Sequence, residues 1–215
     1  MQDLLMRNAN PFRPLLLIVL LTISPLLSAD EKARILVLGD SLSAGYGIEL
    51  EESWVSLLAE RVAENHPYQV VNASVSGETS GGGLARLPAL LKEHTPALVI
   101  LELGGNDGLR GHPLNIMQQQ LDSIIQKSQD AGAQVLLLGM QIPPNYGQRY
   151  TERFHQVYTQ LAKKYELAYV PFFLEGVAVD RDLMQRDGIH PTAEAQPAML
   201  DNVWVGLEPL LKNQD

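Results

Sequence analysis

Three residues that lie far apart in the chain have the types and spacing that nucleophilic acyl transfer requires. Ser41 follows the aliphatic run 35–38 at the tip of a glycine turn, and Asp187 stands three positions before His190. A serine hydroxyl is a weak nucleophile at neutral pH and needs a nearby base, usually a histidine whose ring is oriented by a third group. The Asp187 carboxylate could hold Nδ1 of His190, which would leave Nε2 free to take the Ser41 proton.

Acyl transfer also needs donors for the oxygen that becomes negative in the tetrahedral intermediate. Gly77 can present its backbone N–H with no side chain in the way, and Asn106 can present its side-chain NH₂. The backbone N–H of Ser41 lies at the start of a turn or helix and is the third candidate. Together these groups would form an oxyanion hole with three donors.

Each of these features has a plainer explanation when it is taken alone. A strand that ends in Gly-Asp-Ser is often simple turn chemistry, and an aspartate with a histidine near a helix start often has only a local role. Four further histidines lack a context of acid and turn comparable to that of His190 and are interpreted as ordinary structural residues: His66, His94, His112 and His155. The functional interpretation therefore depends on whether the fold can bring the candidates together.

Strand-like and helix-like segments alternate along the chain. Strands are predicted at 34–39, 69–73, 97–103, 134–139 and 168–170. Helices are predicted at about 52–65, 82–93, 114–130, 147–166 and 192–211. This alternation favours an α/β fold with a parallel sheet covered by helices on both faces. Ligands in such sheets bind beyond the carboxyl ends of the strands, which is where Ser41, Gly77 and Asn106 would lie.

The first 29 residues differ in kind from the rest. Arg7 and Arg13 precede an uncharged apolar run from Leu15 to Leu27, and Ala29 leads into a polar segment. This pattern is typical of a secretory signal peptide cleaved after Ala29. The 13-residue run would span about 20 Å as a helix, against about 30 Å of bilayer hydrocarbon. An uncleaved N-terminal anchor is the alternative.

The composition predicts one domain, residues 30–215, in an exported and soluble protein. The chain has no cysteine, so it can form neither a disulfide nor a lipid-modified cysteine anchor. Loss of two arginines and one aspartate with residues 1–29 changes the formal net charge from −9 to −10. Such a surface does not suit nucleic acid, whose binding relies on basic side chains. No heptad pattern demands association, so a monomer is expected.

Four blocks of the chain, in order, resemble the signature blocks of the SGNH (GDSL) hydrolase superfamily. They are Gly39-Asp40-Ser41-Leu42, Gly77 after the second predicted strand, Gly104-Gly105-Asn106-Asp107, and Asp187-Gly188-Ile189-His190-Pro191. The resemblance extends over residues 34–211. It implies a three-layer α/β/α sandwich of the flavodoxin-like type, with a five-stranded parallel sheet in the order 2-1-3-4-5.

The resemblance also implies roles for the matching residues. Ser41 would be the nucleophile, His190 the general base and acid, and Asp187 the residue that orients it. The oxyanion hole would comprise Ser41, Gly77 and Asn106. The family acts on fatty-acyl or aryl esters, thioesters and lysophospholipids through an acyl-enzyme, without a metal or other cofactor. A periplasmic location is implied, as is a mobile substrate-contacting loop at 108–113.

The walls of a substrate pocket are predicted less directly. Leu109, Arg110, Ile142 and Pro143 follow the third and fourth predicted strands and so lie near the catalytic edge in sequence terms. Pro144 and Tyr146 are neighbouring candidates. Spacing alone does not reveal which way these side chains point.

Three other classes of protein would each require a motif or a ligand set in the sequence. An α/β-hydrolase carries its nucleophile in Gly-x-Ser-x-Gly, and that pentapeptide is absent from the sequence. A binding protein could cradle an anion with the glycine-rich segment 77–83, although the segment lacks the P-loop lysine and the dinucleotide-binding glycine spacing. A metalloenzyme could use Asp187 and His190, but two ligands do not make a site.

Overall fold

The computed structural model describes residues 32–212 of the 215-residue chain. The strands are β1 (Ala33–Gly39), β2 (Tyr68–Asn72), β3 (Leu98–Glu102), β4 (Gln134–Leu138) and β5 (Ala168–Val170). The helices are α1 (Trp54–Asn65), α2 (Ser80–His94), α3 (Gly105–Leu109), α4 (Leu114–Asp130), α5 (Gln148–Tyr165) and α6 (Gln196–Lys212). Short 3₁₀ turns lie at Leu50–Glu52, Pro144–Tyr146, Arg181–Leu183 and Ala193–Ala195.

The five strands form one parallel sheet in the order β2-β1-β3-β4-β5. Helices α1 and α6 contact each other in one layer, and α2, α4 and α5 pack in a row in the other. The three-layer α/β/α architecture and the strand order implied by the family resemblance are confirmed. In this order the chain reverses direction across the sheet at β1 and β3, and such a switch point is where α/β folds bind ligands.

The core lies on both faces of the central strands. The side chains from Ile35 to Leu38 in β1 and from Val99 to Leu101 in β3 are fully buried, as expected for parallel strands covered on both sides. The helices bury one stripe each. In α5 that stripe is Phe154, Val157, Tyr158 and Leu161, whose spacing of three or four residues turns one face toward the sheet.

The helices α2, α3 and α6 differ from the sequence prediction in ways that have a physical reason. The five-residue helix α3 was not predicted, because one turn rich in glycine has no helical periodicity. Helix α2 begins at Ser80 and includes the glycine run at 81–83, where a Cβ on Gly83 would collide with the Leu103 side chain. The run therefore permits close packing of the first turn. Helix α6 begins at Gln196 instead of 192, because a 3₁₀ turn precedes it.

The predicted signal peptide, residues 1–29, lies outside the described residues and stays a prediction. Within residues 32–212, no helix is both long enough and apolar enough to cross a membrane.

Candidate active site

The candidate residues meet at the carboxyl edge of the sheet. Ser41 follows β1, Gly77 lies in the loop after β2, and Asn106 lies in the first turn of α3, directly after β3. Strands β1 and β3 are neighbours, with Gly39 opposite Glu102 in the ladder. Two loops that are about 60 residues apart in sequence therefore begin side by side.

Ser41, His190 and Asp187 form a continuous chain of short contacts. His190 Nε2 lies 2.9 Å from Ser41 Oγ, and His190 Nδ1 lies 2.7 Å from Asp187 Oδ2. These distances suit an imidazole that carries its proton on Nδ1 and accepts the serine proton at Nε2. The serine side chain is half-buried, and the histidine side chain is 16% exposed. This is the geometry that a serine nucleophile needs to lose its proton to a base.

Asp187 also shapes the loop that carries the histidine. Its second oxygen, Oδ1, accepts hydrogen bonds from the backbone N–H groups of Ile189 and His190, at 2.9 and 3.0 Å. Partial burial would raise the pKa of Asp187, but the bonds from the His190 ring and the two N–H groups outweigh it and lower the pKa from 3.8 to about 2. Asp187 is therefore charged throughout the neutral range, as an orienting carboxylate must be.

The turn that carries Ser41 is held from within by Asp40. The backbone N–H of Leu42 donates to Asp40 Oδ1 at 3.0 Å, and the carbonyl of Asp40 accepts from the N–H of Ala44 at 2.9 Å. Asp40 is only 2% exposed. Burial raises its pKa from 3.8 to about 6, although the bonds from Leu42 and the Asn106 side chain lower it. A buried carboxylate in a turn costs free energy unless its oxygens are bonded, and both oxygens of Asp40 are.

Glu102, at the end of β3, lies beneath the same turn. Its Oε2 accepts from the backbone N–H of Asp40 at 3.1 Å and from Ser43 Oγ at 2.7 Å. Burial, together with the nearby charge of Asp40, raises the pKa of Glu102 well above its usual value. The charged form of Glu102 is therefore disfavoured in the folded protein. Gly39 makes this packing possible, because a Cβ there would lie 2.6 Å from Glu102 Oε2.

Asn106 is held by both atoms of its side-chain amide. Its Nδ2 donates to Asp40 Oδ2 at 3.0 Å, and its Oδ1 accepts from the Arg110 guanidinium at 3.4 Å. Arg110 also donates to the carbonyl of Gly77 at 3.0 Å, and Gly77 has a φ of +79° that favours glycine. Since an NH₂ group has two hydrogens, Asn106 keeps one donor that Asp40 does not use.

A largely apolar cavity of about 450 Å³ opens next to Ser41 and His190. Of the predicted wall residues, Leu109, Ile142 and Pro143 line it, and so does the neighbouring Pro144. Arg110 lies outside the lining and makes the contacts just described. The apolar lining residues that the sequence prediction did not include are Leu42, Met140, Phe172, Leu174, Ala178, Val179, Met184 and Ile189.

The loop predicted to be mobile, 108–113, makes several hydrogen bonds in this structure. The hydroxyl of Tyr146 donates to the carbonyl of Leu109 at 3.1 Å, and that of Tyr150 donates to the carbonyl of Gly108 at 3.3 Å. Tyr146 therefore bonds to the lining residue Leu109 and is not itself part of the lining. The mobility of the loop stays a prediction.

The alternatives considered above find little support in the geometry. The glycine run at 81–83 forms the first turn of α2, where Thr79 caps the helix by accepting from the N–H of Gly82. Asp187 bonds to His190, and His190 in turn bonds to Ser41. Across residues 32–212, no group of three or more histidine, aspartate or glutamate side chains could hold a metal ion.

Sequence reasoning missed the buried support of the site. In the sequence, Asp40 stands out only as part of the Gly-Asp-Ser-Leu block, and Glu102 only as one residue of the predicted strand 97–103. A signal was present in the second case, since Glu102 is an acid within the apolar segment 98–103. A charged residue in a strand buried on both faces needs a specific partner, but the identity of that partner depends on the ladder between β1 and β3.

Comparison with known proteins gives a consistent result. Residues 37–197 match the model of the GDSL-like Lipase/Acylhydrolase family. Esterase TesA of Pseudomonas aeruginosa is 58% identical over 178 residues, which cover 82% of this chain and 89% of that protein. Thioesterase 1/protease 1/lysophospholipase L1 of Escherichia coli K12 is 45% identical over 212 residues, which cover 97% of this chain and 99% of that protein.

A solved structure resembles the fold at similar identity. The psychrotrophic esterase EstA from Pseudoalteromonas sp., in a structure inhibited by monoethylphosphonate, matches with a TM-score of 0.79 and 45% identity. The match covers 83% of this chain and 98% of that chain. The chain thus belongs to the GDSL-like lipase/acylhydrolase family, and it is an enzyme of the SGNH serine esterase type.

Proposed function

We propose that the enzyme hydrolyses acyl esters and thioesters through a covalent acyl-enzyme on Ser41. His190 is the general base and then the general acid, and Asp187 orients its ring and balances the charge of the imidazolium. The observation that carries the proposal is the continuous contact from Ser41 Oγ to His190 Nε2, at 2.9 Å, and from His190 Nδ1 to Asp187 Oδ2, at 2.7 Å.

In the acylation step, Ser41 Oγ attacks the carbonyl carbon of the ester while its proton passes to His190 Nε2. The tetrahedral intermediate collapses when the alcohol or thiol leaves with the proton from His190. Water then attacks the acyl-enzyme in the same way and releases the acid, while the proton returns to Ser41. No metal or other cofactor takes part in either step.

The negative oxygen of each intermediate would be bound by three donors: the backbone N–H groups of Ser41 and Gly77 and the free N–H of Asn106. Two features of the geometry support this assignment. The positive φ of Gly77 lets its backbone turn into the site with no side chain beside it, and both ends of the Asn106 amide are already fixed. Donors fixed before the reaction need no reorganisation as charge develops.

The apolar cavity supports an acyl group as the part of the substrate that is recognised. Its walls include Ile142, Phe172 and Leu174, which bury hydrocarbon favourably at about 0.8 kcal/mol for each CH₂. Fatty-acyl and aryl esters, thioesters and lysophospholipids are the substrate classes we propose, in keeping with the names of the relatives. Leu109, Ile142 and Pro143 would contact the acyl chain, and Arg110 would contact the substrate outside the cavity.

The enzyme would act in the periplasm, after residues 1–29 have directed export and been removed. It would act as a monomer without stable membrane insertion. N-terminal sequencing of the periplasmic fraction tests the cleavage site, with Asp30 expected as the first residue.

The assignment of Ser41 is tested with p-nitrophenyl butyrate and with a phosphonate ester that reacts with activated serines. Ser41→Ala should abolish hydrolysis and phosphonylation, while Ser123→Ala, a hydroxyl deletion on the exposed side of α4, should leave both unchanged. Mass spectrometry should locate the phosphonyl group on the peptide that contains Ser41. Hydrolysis that survives in folded Ser41→Ala enzyme would contradict the proposal.

Substrate choice is tested with acyl esters and acyl thioesters of graded chain length, and with a lysophospholipid, all measured beside Ser41→Ala. We expect kcat/KM to rise with chain length until the cavity is filled. A flat profile from acetate to decanoate would contradict recognition of the acyl chain by this cavity.

A further inference from the structure

The side-chain amide of Gln185 joins the two loops that carry the proposed nucleophile and base. Its Nε2 donates to the carbonyl of Tyr46, at 2.8 Å, and to the carbonyl of Pro191, at 2.9 Å. Tyr46 belongs to the turn that starts at Ser41, and its N–H in turn donates to the Ser41 carbonyl at 3.2 Å. Pro191 directly follows His190. One amide group thus links the residue next to the base to the turn of the nucleophile.

The same residue also closes the loop of the base. The backbone N–H of Gln185 donates to the carbonyl of His190 at 2.7 Å, and its carbonyl accepts from Gly188 at 2.9 Å. These bonds set the internal shape of the segment 185–190, which belongs to neither a helix nor a strand of the sheet. These backbone bonds do not set the distance of the segment from β1. The side-chain amide of Gln185, in contrast, reaches the loop that carries Ser41.

The turn that starts at Ser41 leaves space for the Gln185 amide at Gly47. Gly47 has a φ of +77°, and a Cβ at this position would collide with the side-chain oxygen of Gln185 and lie 3.0 Å from its Nε2. The neighbouring Gly45 has a similar φ of +72°, but a Cβ there would meet Leu50 and Ser53 only at ordinary contact distance, 3.4 Å. The close approach is therefore specific to Gly47.

Tyr46, whose carbonyl accepts this hydrogen bond, also packs against His190, the proposed base. The ring of Tyr46 lies against the imidazole of His190, with 4.4 Å between the ring centroids and 36° between the planes. A displacement of the Tyr46 backbone would move this ring. The Gln185 amide therefore fixes both the anchorage of the His190 loop and the aromatic side chain that packs on its ring.

We infer that Gln185, seated against Gly47, is a positioning residue that sets the approach of His190 to Ser41. The inference rests on the proposed function, since it assumes that these two residues exchange a proton. Proton transfer and nucleophilic attack depend steeply on distance, and a misplacement of about 1 Å can cost about 10² in rate. The lining of the apolar cavity includes Met184, Ile189 and His190 but neither Gln185 nor Gly47, so a change at Gln185 should lower kcat more than it alters substrate binding.

The first test removes the donors and keeps the volume. Gln185→Met should lower kcat for p-nitrophenyl butyrate by about 10 to 10², with KM within about twofold of the wild type. The rate of phosphonylation of Ser41 should fall by a similar factor, because that reaction uses the same proton transfer. The melting temperature shows whether the variant is folded at the assay temperature. A purely structural residue would change the melting temperature and leave kcat of the folded enzyme unchanged.

The second test reaches the same contact from the other loop. Gly47→Ala should displace the Gln185 amide and lower kcat, whereas Gly45→Ala, with the same positive φ and no such collision, should retain more activity. In a double-mutant cycle, the effects of Gly47→Ala and Gly45→Ala on kcat are measured again in the Gln185→Ala background. In that background the two changes should lower kcat by similar factors, because the amide that Gly47→Ala would displace has already gone. This cycle remains informative if Gln185→Met fails to fold.

Three results would overturn the inference: a folded Gln185→Met enzyme with kcat within twofold of the wild type, a loss confined to KM, or strictly additive effects of the changes at 47 and 185. Ser41→Ala separates this failure from that of the proposed function. If Ser41→Ala is inactive while the Gln185 variants behave like the wild type, only the positioning role is wrong. Full activity in folded Ser41→Ala would remove both.

Discussion

The side-chain amide of Asn106 donates a hydrogen bond to the carboxylate of Asp40, the residue directly before Ser41, at 3.0 Å. Asn106, the proposed oxyanion donor after β3, is thus held by the turn that carries Ser41 after β1. Asp40 is buried and accepts from Leu42 N–H with its other oxygen. A change at Asp40 should therefore be felt in both elements.

Asp40→Asn should lower both stability and turnover. Both carboxylate oxygens accept hydrogen bonds, so an amide must turn its NH₂ group toward one donor and lose that bond. An unsatisfied buried group costs about 1 to 3 kcal/mol, which urea denaturation would measure. The exposed Asp130→Asn serves as control. Unchanged stability and unchanged kcat in Asp40→Asn would contradict the role given to this carboxylate.

Asn106→Ala removes one proposed oxyanion donor. We expect kcat to fall by about 10² to 10³ with a small change in KM, since the donor binds charge that develops only in the transition state. Steady-state kinetics on p-nitrophenyl butyrate measures this, with Asn115→Ala on the exposed face of α4 as the matched control. A loss restricted to KM would remove Asn106 from the oxyanion hole.

Glu102→Gln should stabilise the protein increasingly as the pH rises. The pKa of Glu102 is raised in the folded state by burial and by Asp40, so the folded state holds a proton that the unfolded state releases above about pH 4.5. The contribution of Glu102 to the stability of the wild type therefore falls as the pH rises above about 4.5, and a neutral amide avoids this loss. For a domain of this size, each 1 kcal/mol shifts the melting temperature by about 2 to 4 °C.

Melting curves of wild type and Glu102→Gln between pH 5 and 9 test this sign. The exposed Glu175→Gln should show no such trend. A difference in melting temperature that stays constant or shrinks with pH would mean that Glu102 carries its charge in the folded protein.

Asp187→Asn should change the pH dependence of stability in the opposite sense to Glu102→Gln. The folded pKa of about 2 lies below the usual 3.8, so the unfolded state binds more protons in this range. The stabilisation is present above about pH 4 and is lost as the pH falls toward 2. It should be modest, because the Asp187 side chain is 39% exposed. Acid titration of the melting temperature should therefore be steeper for wild type than for the variant.

The same substitution tests catalysis. An asparagine cannot accept from the backbone N–H groups and from the imidazole N–H at once, so the ring would lose its orientation. Loss of the orienting carboxylate can reduce turnover by up to about 10⁴. Asp182→Asn should match the wild type in both assays.

Ala178→Phe should shorten the preferred acyl chain. Ala178 lines the cavity beside Leu174 and Val179, and an added ring would occupy space that a long chain needs. Each CH₂ excluded from the cavity should lower kcat/KM by up to about fourfold, from about 0.8 kcal/mol. Esters from acetate to decanoate would be compared with Ala63→Phe on the exposed face of α1. Equal losses for all chain lengths would show that Ala178 does not face the acyl group.

Much of the fold could be predicted because its determinants are local. The runs that became β1, β3 and β4 are continuous and apolar, as fully buried parallel strands must be, and the helices between them have amphipathic periodicity. Ser41 and Asn106 follow the ends of β1 and β3 within a few residues, so they had to lie at the carboxyl edge. The short spacing of Asp187 and His190 likewise made their contact predictable.

The support of the site depends on contacts that no local pattern contains. Glu102 reaches Asp40 because Gly39 and Glu102 are paired in the ladder between β1 and β3, and Gln185 reaches Tyr46 across 139 positions of sequence. Several cavity walls come from 172–184, a segment with short turns and no helical or strand period. The amino-acid sequence alone determined which elements form and which chemical groups stand at their ends. The tertiary structure decided which of those groups touch, because burial forces each polar group to find a partner that only the packed sheet and its loops supply.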